Sequence, residues 1–180
     1  MPWFRVILWI GSVSLAILLY QKSDNFRKAD LPTISEFEFA RRDAAAIIHF
    51  SWRENSLLNT VREITIYDFI FILFYVLLIM NCSSKRMNLE RNLILNNLLR
   101  FNIALAVVTG LLDVAENVIL IRNLDFTDHI SSTWVTILKF VFAGWIIFVW
   151  AVAVIKHRIS FIHKESPNRV TVGATLADRN

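Results

Sequence analysis

Glycine and proline are scarce in this chain: its 180 residues include 4 Gly and 3 Pro. All-β barrels and sandwiches need such residues in their tight connections, so this scarcity argues against an all-β architecture. Cysteine is scarcer still. One thiol, Cys82, cannot form an internal disulfide, and the sequence has neither a CxxC pair nor a Cys/His spacing suited to a metal. No metal or cofactor is therefore expected. Charge is low as well, at 19% of residues, against about 25% in soluble domains.

Apolar residues take up the difference. They reach 56%, with 14 Phe and 6 Trp, and mean hydropathy is +0.50. Disordered chains are poor in aromatics, so disorder is excluded. The net charge of +4 is what basic cytoplasmic flanks produce in a membrane protein. No basic helix with interleaved aromatics stands clear of the apolar runs, so a nucleic-acid partner is not expected.

A membrane-spanning helix needs about 20 mostly apolar residues. Four stretches qualify: 3–20, 65–81, 99–121 and 134–155. The first is read as an uncleaved span, because its apolar run meets Tyr20-Gln21-Lys22 without the small-x-small pattern of a signal peptidase site. The expected fold is all-α: an integral membrane four-helix bundle, with a short amphipathic helical segment on the outer face between the first two spans.

Loop charges orient it. Lys85, Arg86 and Arg91 lie between the second and third spans, and Lys156, Arg158 and Lys164 follow the fourth. Asp125 and Asp128 lie between the third and fourth. Short basic loops stay in the cytoplasm, which puts both termini there. Lys156, His157, Arg158 and Lys164 suit anionic lipid head groups. The tail, 165–180, is polar and aperiodic and reads as disordered.

The connection 21–64 then lies outside, with seven basic and seven acidic side chains. From Ser35 the pattern turns helical, with Ser35 as N-cap and Glu38 three residues on. Phe37, Ala40, Ala44, Ile47 and Ile48 recur at helical spacing. Leu57, Leu58, Val61 and Ile64 mark a second short amphipathic helix. Together, 35–64 form the outer segment, on the membrane surface or across the bundle mouth.

The chemistry-bearing feature is a set of ionisable residues inside the spans, where a charge costs at least about 2.5–3.5 kcal/mol. Asp113, Glu116 and Asn117 fall at i, i+3 and i+4 on one helical face. Asp68 stands in the second span with Tyr75 at i+7, and Lys139 in the fourth with Thr136 on its face. Counting from the outer ends, Glu116 is five residues deep and Lys139 six, within one helical turn of each other. An ion pair between Lys139 and Glu116 or Asp113 follows. Three carboxylates against one ammonium leave a surplus. A protonated carboxyl, a ligand or an outer-segment arginine (Arg41, Arg42, Arg53 or Arg62) would balance it. His49, Trp52, Tyr75 and Thr136 are candidates for the rim of a pocket, and His129 lies in the outer loop. His157 and His163 are wrongly spaced for one metal.

The run EFEFA, the segment YDFIFILFY (67–75), LLDVAEN (111–117) and Lys139 together resemble a group of small bacterial four-span membrane proteins that carry an LDxxEN element. The resemblance implies a four-helix membrane fold in a bacterial inner membrane and brings no activity. The expected function is binding of a lipid, small amphiphile or ion at the carboxylate–lysine cluster, with membrane lipids as partners. One alternative is a non-catalytic accessory subunit of a larger membrane complex, its cluster purely structural. A second is a membrane enzyme using a carboxylate as acid or base.

Overall fold

A computed structural model describes residues 2–125 and 130–165. His129 and the tail from residue 166 lie outside the described residues, as do the side chains of His157 and His163. The described residues form six helices and no strand: α1 (Pro2–Lys28), α2 (Ile34–Phe39), α3 (Arg42–Glu54), α4 (Leu58–Leu89), α5 (Leu93–Asp125) and α6 (Thr133–Glu165). Four of them, α1, α4, α5 and α6, are long and apolar enough to cross a membrane. Their outward faces carry exposed side chains such as Trp3, Ile7, Leu73, Leu111 and Phe148. Apolar surface on that scale belongs against lipid or another apolar partner rather than water.

Each long helix outruns its apolar stretch. Helix α1 continues eight residues past Tyr20, and α4 begins at Leu58 instead of residue 65. The residues 57–64 are therefore not a separate surface helix. They form the first turns of α4, because Val61 and Ile64 are buried against the ends of α1 and α5.

With so few glycines, helix ends are built from other residues. At the end of α1, Leu31 N–H donates to Phe26 O (2.9 Å) and Asp30 N–H to Arg27 O (3.1 Å), with Asp30 at φ 55°. Leu57, Ser56, Trp52 and Arg53 repeat this pattern at the end of α3, with Ser56 at φ 57°. Both are left-handed termini of the Schellman type, where glycine is the usual occupant.

The start of α2 also differs from expectation. Its N-cap is Thr33, whose Oγ1 accepts from Glu36 N–H while Thr33 N–H donates to Glu36 Oε2, both at 3.3 Å. Thr33-x-x-Glu36 satisfies the capping box two residues before Ser35-x-x-Glu38, and Glu38 is left for another use. The expected helix also breaks after Phe39, where Ala40 and Arg41 are extended. The freed backbone carbonyls of Glu38 and Ala40 accept hydroxyl bonds from Ser132 and Thr133 at the start of α6 (both 3.3 Å).

Helices α2 and α3 close one end of the assembly. Trp52 is fully buried, its indole N–H donating to Pro32 O at 2.8 Å and its ring lying against Phe26 and Phe37. Val61, Ile64, Leu120 and Leu124 complete this core.

Among the long helices, α1 packs on α4, α4 on α5 and α5 on α6, while α1 and α6 share no comparable interface among the described residues. Gly110 permits the α4–α5 approach, since a Cβ there would meet Val76 Cγ2 at 2.6 Å. Gly11 faces the Phe74 ring in the same way across α1 and α4.

Candidate functional site

On α5, the i+3 and i+4 offsets divide the polar face. Asp113 and Asn117 line a cavity beside α4, whereas Glu116 turns toward α6 and is 1% exposed. Lys139 reaches across from α6, with its Nζ 3.1 Å from Asp113 Oδ1 and in contact with Glu116 Oε2. Thr136, one turn earlier on α6, donates its hydroxyl to Glu116 Oε1. From α4, Tyr75 donates its phenol O–H to Asp113, and Asp68 accepts from Asn117 Nδ2 at 2.8 Å.

Three helices are thus joined by one polar network. Asp113 has a cation and a phenol, Glu116 a cation and a hydroxyl, and Asp68 a neutral amide. This geometry brings together Asp68, Asp113, Glu116, Asn117, Lys139, Tyr75 and Thr136. Of the expected rim residues, Tyr75 lines the cavity and Thr136 stands behind it as a buried support for Glu116. Trp52 is not at the rim, because the capping core absorbs it. His49 is half-buried on α3 and away from the cavity lining.

Two contributions escape a reading of the sequence. Glu38 of α2 lines the same cavity, carried there by the break after Phe39. Its carboxyl is pushed up to about 8, first by burial. Repulsion from Glu116, Asp68 and Asp113 adds to this, and attraction from Lys139 opposes it. The second contribution is the last turns of α1, where Tyr20, Asp24 and Arg27 line the mouth. Arg41, Arg42, Arg53 and Arg62 are not among the cavity-lining residues, whereas Arg27 is; Arg62 is engaged with Asp125. One signal for α1 was available: residues 20, 24 and 27 keep the i, i+4, i+7 spacing beyond the apolar run. Glu38 offers no such signal, since its place depends on the contact of α2 with α6.

The cavity has a volume of about 770 Å³. From the carboxylates it continues between Leu78, Ile79 and Ile146 to Cys82, Ser83 and Trp150. Asp68 to Ser83 is 15 residues of α4, about 22 Å at 1.5 Å per residue, most of the roughly 30 Å hydrocarbon thickness. A smaller pocket of about 230 Å³ adjoins its far end, lined by Arg5, Lys85 and Arg86 together with Cys82 and Trp150. Arg86 is buried there and donates to Ala153 O. Among the described residues, no cluster of His, Cys, Asp or Glu is arranged to hold a metal ion.

No protein-family model, curated protein or solved structure matches the chain. The likeness carried by LLDVAEN therefore remains a likeness of residues, and the functional reading rests on the site itself.

Proposed function

We propose that this multi-pass membrane protein binds a lipid or other small amphiphile in the cavity between α1 and α6. The observation that carries the reading is the shape and polarity of that cavity. It is long, apolar along most of its length and charged at one end, which matches an amphiphile with its head group among the carboxylates. Ligand sites of 300–1,000 Å³, mostly apolar with a few placed polar groups, are the usual form of a small-molecule pocket. The lack of a broad α1–α6 interface leaves a lateral way in from the bilayer. In this reading α1, α4, α5 and α6 act as an open bundle, with α2 and α3 covering its outer face.

The orientation follows from charge. Arg5, Lys85 and Arg86 cluster at the end away from α2 and α3, and basic flanks stay cytoplasmic. Both termini then face the cytoplasm, and the carboxylate end of the cavity lies in the outer half of the membrane.

The test is mass spectrometry of protein purified in a mild neutral detergent, with extraction of whatever remains bound. The wild-type chain is expected to retain an amphiphile in near-stoichiometric amount. Ala143, which lines the cavity on α6, is the position to fill: Ala143→Trp is expected to lose the bound molecule while keeping its helical content. Equal retention by the two proteins, or none by either, refutes the reading.

A further inference from the structure

The charge balance of the cavity identifies the chemistry of its head-group end. Glu38, Asp68 and Asp113 line that end, with Glu116 directly behind Asp113 and Lys139 between them. At the mouth, Asp24 is paired with Lys28 at 2.8 Å, and Arg27 lines the cavity as a second cation. Four carboxylates from α2, α4 and α5 face two cations, the ammonium of α6 and Arg27 at the mouth, which leaves a surplus of negative charge.

That ammonium is already committed to Asp113 and Glu116. Asp68 is served by the neutral amide of Asn117, and Glu38 attracts Lys139 across the cavity, whereas the ion pairs of Lys139 among the described residues are with Asp113 and Glu116. A carboxylate removed from water without its own counter-charge either keeps a proton or takes up a cation. The walls suit the second outcome. Tyr20, Phe71, Tyr75 and Phe140 line the same region, and aromatic faces attract ammonium groups within about 6 Å of the ring centre. This chain already shows that contact, with Lys139 Nζ 5.3 Å from the Phe140 ring centre.

We propose that the occupant is a cationic amphiphile, whose ammonium group sits at the Glu38–Asp68 end while its tail runs toward Cys82 and Trp150. This rests on the reading of the cavity as an amphiphile site and narrows the head group. A proton accompanies the exchange. Glu38, with its carboxyl held near 8, is protonated at neutral pH in the free protein. An arriving ammonium stabilises the carboxylate and the proton leaves to solvent. The groups facing Glu38 in this exchange are Asp24 and Arg27 of α1, Asp68 of α4, Asp113 and Glu116 of α5, and Lys139 of α6.

Isothermal titration in phosphatidylcholine nanodiscs separates the possibilities, with protein-free nanodiscs as the subtracted blank. The probes share one tail: decyltrimethylammonium, decyl maltoside and decyl sulfate. The cationic probe is expected to bind at least about tenfold more tightly than the other two. Glu38→Gln and Asp68→Asn are each expected to weaken it about tenfold while leaving decyl maltoside unchanged. Repeating the titration in buffers of different ionisation enthalpy is expected to show release of most of one proton near pH 7. Release should be close to none near pH 9.5 and in Glu38→Gln. If decyl maltoside or decyl sulfate binds as tightly as the cationic probe, the head-group assignment falls and the pocket stands. If none of the three binds saturably, the pocket falls with it. Binding of the cation without proton release near pH 7 overturns the exchange at Glu38.

Discussion

Replacing Lys139 with methionine removes the cation that serves two buried carboxylates, while the methionine preserves most of the side-chain volume. With an effective dielectric constant of about 20, the Asp113 contact at 3.1 Å represents about 5 kcal/mol of gross attraction. The cost of taking both charges out of water offsets much of it. What the substitution exposes is the penalty of leaving carboxylates buried without a partner, typically about 3–5 kcal/mol. The Lys139 and Asp113 side chains are both 15% exposed, so the lower end applies, about 3 kcal/mol. At about 2–4 °C per kcal/mol for a chain of this size, the melting temperature should fall by about 6–12 °C. Glu116→Gln keeps an oxygen for the Thr136 hydroxyl and leaves Lys139 with Asp113, so it should cost about 1–2 kcal/mol. The double variant then loses less than the two single losses together, by at least about 1 kcal/mol. The assay is thermal unfolding in detergent, followed by tryptophan fluorescence, for the wild type and all three variants. Losses that add to within about 0.5 kcal/mol mean that Lys139 and Glu116 do not act on one another, and the reasoning fails.

Other consequences are open to the same measurement. Trp52→Ala should cost about 3–5 kcal/mol by emptying the core beneath α2 and α3, and Trp52→Phe about 1–3 kcal/mol by orphaning Pro32 O; a shift under 2 °C in both would show that the cap contributes little. Gly110→Ala drives a methyl group into Val76 and should destabilise by about 1–3 kcal/mol. Gly144→Ala, with nothing within 4 Å of the added atom, should be neutral or stabilising by up to about 1 kcal/mol, and a reversed order would contradict the α4–α5 packing. Stability should also depend on Glu38. Its carboxyl holds a proton up to about 8 in the fold, against 4.5 as its ordinary value, so its contribution is present below about 4.5 and lost as pH rises through about 8. At about 1.4 kcal/mol per unit, reduced for partial exposure, the change is of order 2–3 kcal/mol. Glu38→Gln should flatten the melting temperature over that window, and parallel pH profiles would exclude the effect.

The four long helices and the polar face of α5 are visible in the sequence because both are local properties. An apolar run announces a helix that can cross a membrane whatever surrounds it. The i, i+3, i+4 spacing of Asp113, Glu116 and Asn117 places them together on any helix. Even the meeting of Lys139 with Glu116 follows from counting residues inward along two antiparallel helices. The loop charges on which the proposed orientation rests are local in the same way.

What tertiary structure decided is everything that depends on one element meeting another. The contact of α2 with α6 breaks the expected helix after Phe39 and delivers Glu38 to the cavity. Trp52, polar enough at one edge to suggest a rim, is drawn into the core because Pro32 O, Phe26 and Phe37 converge on it from other parts of the chain. The first turns of α4 look like a surface helix until the ends of α1 and α5 bury Val61 and Ile64. Composition announces a scarcity of glycine and proline; the packing shows that Asp30 and Ser56 take over the left-handed helix ends and that Gly11 and Gly110 stand where helices approach closely. The cavity itself exists because α1 and α6 share no broad interface. A gap between helices has no residue pattern of its own, so only the folded arrangement reveals it.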